Sequence, residues 1–241
     1  MLTLTAFLLG FTVSCKSTDE TKTDPNYKVF TGEPYESLKD KVAGYESLVE
    51  GEEIAVIETE KGNIYIRFAK EAAPIGVENF IGLTDKGAYN DLLWHRISKT
   101  SSVIQSGDPK GDGTGGESFK GGSFGVESNP KYHFYTGAVG YANSGQDDNK
   151  SQFFIVCGNN PEKGSMDGLK RYGFKQEQMD ALYEVGGVLN YYGGYTVFAY
   201  VVKGMDVVRA LMKLPVGENE KPLTDTKVIS VKMTTYTEGL F

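Results

Sequence analysis

A mainly β, loop-rich fold is what this sequence predicts, and three observations predict it. Glycine (30) and tyrosine (15) are plentiful among the 241 residues, while the helix-favouring alanine and leucine are modest. Ile54-Ala55-Val56-Ile57-Glu58-Thr59, a Lys61-Gly62-Asn63 turn, then Ile64, Ile66 and Phe68 alternating with Tyr65 and Arg67 carry the period of two of a hairpin. Gly137 to Asn143 and Ser151 to Val156 are two further strand-like runs about a polar turn. A hydrophobic content of 39% suffices for a sizeable core. A net charge of −7, with no Lys/Arg cluster, argues against a nucleic-acid partner. Cys15 and Cys157 make no disulfide framework, and with only His95 and His133 besides, neither a metal nor a cofactor is expected.

The chain reads in order as follows. Leu2 to Val13 is apolar and uncharged, too short for the roughly 20 residues that span a bilayer, and it suits the apolar stretch of a signal peptide over 1–14. Thr12-Val13-Ser14-Cys15 resembles a bacterial lipoprotein cleavage box, which makes Cys15 the candidate lipidation site; an ordinary signal peptide or a stray cysteine are the alternatives. Residues 15–32 then form a polar tether, since Lys16 to Asn26 holds no aliphatic side chain to bury. Within it, Asp19-Glu20 is similar to the surface-export signals of Bacteroidetes lipoproteins. The expected location is the cell envelope, lipid-anchored in the periplasm or at the outer membrane, or exposed at its surface. Tyr35, Leu38, Val42, Tyr45 and Val49 step by three and four behind Pro34, so 33–51 is expected as an amphipathic helical segment packed on the protein's own domain, with a partner-binding helix as the alternative. Pro74 opens a second helix with Val77, Phe80, Ile81 and Thr84 on one face, ended at Gly87.

The central stretch is Trp94 to Gly116. Trp94-His95-Arg96-Ile97 and Val103-Ile104-Gln105 are apolar runs about a polar turn, and pairing them sets Arg96 beside Gln105 near Trp94 or a phenylalanine. An arginine on such a face is either a satisfied structural residue or a donor in a site. The loop Gly111-Asp112-Gly113-Thr114-Gly115-Gly116 has the letters of a dinucleotide fingerprint, but no strand feeds it and no helix follows to hold a pyrophosphate. It is a loop passing close to something else.

Ala142-Asn143, a polar loop to Ser151, then Gln152-Phe153-Phe154-Ile155 resembles the signature of the cyclophilins. Trp94 to Ile97, Gln105-Ser106-Gly107-Asp108-Pro109, Gly113 to Gly116, Phe124 with Glu127, Thr196-Val197-Phe198 and Gly204 to Val208 match in the same order, over roughly 53–235. The resemblance implies a closed eight-stranded antiparallel barrel capped by two helices, the second over about 205–213, with a closing strand at 226–234. This domain spans 52–237, with an insertion at about 160–192 whose helix runs from Tyr172 to Val185. The implied activity is peptidyl-prolyl cis-trans isomerisation assisting the folding of exported proteins; the alternative is a catalytically weak peptide-binding module of the envelope. Partners would be proline-containing polypeptides and the membrane, through the lipid, and the protein would act as a monomer.

By the same resemblance Arg96 and Gln105 are the catalytic pair. Gln152, Asn143 and Ala142 hold the substrate, and Phe154 floors the proline pocket. The chain departs from the family at the pocket walls. Ser102 and Val103 stand where an aromatic and an apolar residue are usual, Asn190 replaces a tryptophan or histidine, and Tyr191 and Tyr192 replace a Leu-Asp pair. Tyr195 sits where many members have histidine. Ser102, Val103, Tyr191 and Tyr195 are therefore expected around the substrate, with Ser102 setting a hydroxyl against the proline ring.

Overall fold

The computed structural model describes residues 30–158, 169–170 and 173–241. The signal peptide, Cys15, most of the tether and the first part of the insertion, including Tyr172, lie outside the described residues.

Alternation builds the first hairpin. β1 (Glu53–Thr59) and β2 (Gly62–Phe68) pair antiparallel with Thr59 opposite Gly62, so the two-residue turn is Glu60-Lys61, one position earlier than expected. Ile64, Ile66 and Phe68 point inward, while Tyr65 and Arg67 are half-exposed. α2 (Pro74–Asp85) begins at its proline, which lacks the N–H that a first helical turn leaves unbonded, and it buries Val77, Phe80 and Leu83. β3 (Leu92–Leu93), β4 (Arg96–Ser98) and β5 (Val103–Ser106) follow, then β6 (Ala138–Tyr141) and β7 (Phe153–Val156). The inserted helix α3 is Gln176–Val185, beginning later than Tyr172, and Gly186 follows it with φ of 78°. β8 (Val197–Lys203), α4 (Met205–Met212) and β9 (Lys227–Thr235) complete the fold.

The nine strands of the described residues belong to one curled sheet in the order β3-β9-β1-β2-β8-β6-β7-β5-β4. The count differs from the eight expected because the run from Trp94 to Ile97 is not one strand. The chain breaks at Trp94-His95, leaving Leu92–Leu93 on β9 and Arg96–Ser98 on β5. Trp94 is fully buried and packs edge-on against Phe153, ring centroids 5.9 Å apart, so it belongs to the interior. Of the two aromatic neighbours expected for Arg96, Trp94 or a phenylalanine, it is a phenylalanine, Phe154, that shares its face. In the interior Trp94 joins Phe80, Tyr89, Phe153, Phe198 and Tyr141, an aromatic filling lying under α2. α4 packs against β2, β4 and β5.

The segment expected as a helix over 33–51 is helical only at α1 (Pro34–Leu38). Asp40 and Gly44 take left-handed backbone (φ 57° and 92°), and a side chain at Gly44 would collide with the Tyr200 ring. Its apolar residues pack on the domain nonetheless. Tyr35, Leu38, Val42 and Tyr45 are buried, and the Tyr45 hydroxyl donates to the Thr136 carbonyl at 2.9 Å; Val49 is exposed.

Candidate active site

The sheet register assembles one row of side chains. Arg96 on β4 faces Gln105 on β5, Gln105 faces Phe154 on β7, and Phe154 faces Gly140 on β6. Because neighbours along a strand alternate faces, Ile97 and Ile104 enter the core while Arg96, Gln105 and Phe154 share the other face. Gly140 ends the row for a steric reason. A Cβ there would lie 2.8 Å from the Phe154 ring and 2.7 Å from the Phe134 ring, so only glycine leaves both rings where they are.

Polar side chains along this row form a directed chain. Arg96 Nη1 donates to Gln105 Oε1 at 3.1 Å, and Gln105 Nε2 donates to Gln152 Oε1 at 2.9 Å. Gln152 Nε2 donates to the carbonyls of Gly113 (3.0 Å) and Gly115 (2.8 Å). The glycine-rich loop thus passes close to Gln152 and anchors the end of the chain; Asp108 shapes it, accepting backbone N–H bonds from Lys110, Asp112 and Gly113. Each amide has one acceptor and one donor end, so the network fixes how both glutamines point. On its other side, Arg96 Nε donates to Glu220 Oε2 at 2.8 Å.

These groups surround a cavity of about 630 Å³. Arg96 and Gln105 form its polar side; Val103, Phe154, Tyr191 and Tyr195 form its apolar side; Ala142 and Asn143 flank it. Phe154 lies 5.4 Å edge-on from Tyr191 and 5.7 Å from Tyr195, with Phe134 stacked behind it at 5.8 Å. Gln152 borders an adjoining cleft of about 270 Å³ that shares Gln105, Ala142 and Asn143. The Asn143 amide donates to Asn149 Oδ1 and to the Gly194 carbonyl, so that side chain is engaged within the protein.

Ser102 is the exception among the expected residues. It has φ of 55°, is buried, and turns its hydroxyl away from the cavity to the Gly158 carbonyl; only Val103 from this pair lines the wall. The left-handed backbone explains it: Ser102 lies in the turn before β5, outside the alternation that sets Val103 and Gln105 on one face. The ring that stands there is Tyr191, whose phenol is pushed up by burial, with Ser101 acting in the opposite sense. Tyr192 turns the other way, onto His133 and Phe174.

Sequence reasoning missed Glu220, Glu218, Asn219 and Lys221, which form a rim of the cavity from the loop before β9. Nothing in Glu218-Asn219-Glu220-Lys221 distinguishes it locally from a solvated charged turn. His95 also borders the cavity, its imidazole lowered by burial, with Asp108 acting in the opposite sense. Among the described residues no group of three His, Cys, Asp or Glu is placed to hold a metal ion.

Comparison with known proteins places the chain in a family. The family profile described as cyclophilin type peptidyl-prolyl cis-trans isomerase/CLD matches residues 54–233. A Staphylococcus saprophyticus protein assigned to the peptidyl-prolyl cis-trans isomerases is 33% identical over 186 residues, covering 77% of this chain and 94% of its own length. One from Staphylococcus aureus is 34% identical over 182 residues, covering 76% and 92%. Among solved structures, a cyclophilin type peptidyl-prolyl cis-trans isomerase of Cryptosporidium parvum superposes with a TM-score of 0.62 at 23% identity, over 77% of this chain and 99% of that one. The structure of that protein in the presence of the dipeptide Ala-Pro gives a TM-score of 0.61. At this identity the likeness concerns the fold.

Proposed function

The chain belongs to the cyclophilin-type peptidyl-prolyl cis-trans isomerases, an enzyme family, and on that premise we propose that it rotates X–Pro bonds of exported polypeptides with Arg96 as the catalytic donor. Amide resonance sets a barrier of about 18–20 kcal/mol to this rotation. As the bond twists, the prolyl nitrogen loses conjugation and its lone pair becomes a hydrogen-bond acceptor. A donor aimed at that nitrogen stabilises the twisted state and not the planar one, which is what lowers a barrier. No nucleophile and no proton transfer are needed, and a guanidinium stays protonated throughout.

The observation that carries this reading is that Arg96 and Gln105 line the same cavity as Phe154, Val103 and Tyr191, so a proline ring seated on the apolar side would share that cavity with the guanidinium. Gln105 and Gln152 hold the arginine's direction through the directed chain. Ala142 and Asn143 meet the substrate backbone. The intact polar chain supports catalysis over a binding module. The family premise also makes β3 and β4, two residues apart, a single interrupted strand that brings the edges of the sheet together as a closed eight-stranded barrel. A lipid on Cys15 holds the monomeric enzyme in the cell envelope, where newly exported chains pass.

The test is acceleration of cis-to-trans exchange in a short X–Pro peptide by the purified protein. The proposal expects exchange to quicken in proportion to enzyme concentration. Binding of the peptide without faster exchange would leave only the module.

A further inference from the structure

We propose that Glu220 is a positioning residue for the isomerase site, held by a strained turn so that its carboxylate fixes the guanidinium of Arg96. The inference rests on Arg96 being the catalytic donor. Arg96 Nε donates to Glu220 Oε2 at 2.8 Å, and Nη2 lies 2.8 Å from the same oxygen. The other carboxylate oxygen, Oε1, accepts the Ser98 hydroxyl at 2.6 Å. Arg96 and Ser98 are two apart on β4 and share a face, so one carboxylate spans both. Of the five guanidinium N–H groups, Glu220 takes at most two and Gln105 one. Two remain, on the terminal nitrogens, for a ligand in the cavity.

The turn that presents Glu220 is costly. Asn219 and Glu220 both have left-handed backbone, φ 55° and 59°. Asparagine tolerates that region; glutamate, with a Cβ and no short amide to bond locally, does not favour it. The loop keeps the geometry by closing on itself. Gly217 donates to the Lys221 carbonyl at 2.8 Å, Leu223 to that of Pro215 at 3.0 Å, and Val216 bridges Pro222. The ion pair at its tip is about a third exposed on each side, and pairs so exposed to water contribute little to stability. A strained backbone that gains so little in folding has its use in where it puts the carboxylate.

Glu220→Gly tests this, because it removes the carboxylate and relieves the strain together. In the full chain we expect an unchanged or higher Tm, a kcat about tenfold lower on an X–Pro peptide, and KM within twofold. Glu220→Gln, which keeps an acceptor for Nε–H, should hold kcat within about threefold of the parent. Independently of activity, the Arg96 Nε–Hε resonance should be sharp and slowly exchanging in the parent and in Glu220→Gln, and lost to exchange in Glu220→Gly. Unchanged or raised kcat in Glu220→Gly would overturn the proposal, the second by showing that the carboxylate withholds the arginine. So would an Arg96 resonance indifferent to the substitution. A parent without isomerase activity would instead remove the proposed function, while the resonance still reports on the pairing.

Discussion

Tyr191 supplies by itself much of the wall that the serine at 102 leaves out. Its ring stands over Phe154 and 4.7 Å from Tyr195, on the cavity side of the turn that follows α3. Truncating it removes an apolar surface from the proposed proline site, on the order of 1–2 kcal/mol of binding. Tyr191→Ala should therefore raise KM for an X–Pro peptide by about tenfold, whereas Tyr192→Ala, on the far side against His133 and Phe174, should leave it within twofold. Ser102→Phe is expected to give no gain in activity. A phenylalanine at φ 55° in a buried place would lose the bond to Gly158, so the urea midpoint should fall by the equivalent of about 2 kcal/mol or more. Arg96 and Gln105 were legible as neighbours because pairing the two runs about the turn sets them side by side, while Phe154 was expected with them only through the family resemblance; the register then puts all three in one row. Ser102 was misread because matching by order of residues does not show that the backbone there turns left-handed before β5 begins. Glu220 was not legible at all: it reaches Arg96 across more than a hundred residues, and only folding joins them.

Among the elements, the strap of residues 30–50 and the inserted segment around α3 each meet the rest of the domain through aromatic packing, among other buried contacts. Tyr45 packs against Tyr200 (4.8 Å) and Tyr135 (6.0 Å) and is fully buried. Tyr45→Ala should cost roughly 3–5 kcal/mol in denaturant unfolding with kcat/KM unchanged, since no atom of Tyr45 lines the cavity. The spacing by three and four forecast burial correctly for Tyr35, Leu38, Val42 and Tyr45 but not for Val49, and forecast helix wrongly beyond Leu38, where Asp40 and Gly44 turn the chain. His133 is the corresponding group under the insertion, stacked at 4.1 Å on Phe174 just before α3. Burial pushes its imidazole down to about 4, with Gln178 and the Pro130 carbonyl acting the other way. The unfolded chain binds this proton near its ordinary 6.5 and the folded one only near 4. Stability is thus complete above about 6.5 and is lost as pH falls toward 4, by roughly 3 kcal/mol. Below that both states are protonated and this loss levels off. His133→Phe should flatten the fall in Tm between pH 7 and 4.5 relative to the parent; equal slopes would assign the fall to other groups. The histidine's burial had no sequence signal, as His133 sits in an ordinary Lys131-Tyr132-His133-Phe134 run.

For the whole molecule, the sheet, its two covering helices and the family were readable from ordered motifs spread along the chain, since each strand of the site carries its own fragment of the pattern. Strand count was not, because Trp94 and His95 break a run that looks continuous on paper. The proposed anchoring belongs to this scale too. Full-length protein should partition with membranes in a bacterial host, and Cys15→Ser should release it or leave it unprocessed, as two or more acyl chains suffice for stable attachment; an unmodified Cys15 in the mature protein, seen by mass spectrometry, would dismiss the anchor. The central claim is that one guanidinium, held over an apolar floor, performs the catalysis. Its most direct measurement is kcat/KM for an X–Pro peptide in the parent and in Arg96→Ala, with Tm recorded for both. The account predicts at least a tenfold fall, about 1.4 kcal/mol of barrier, at a Tm within a few degrees of the parent. A folded Arg96→Ala enzyme as active as the parent would contradict it.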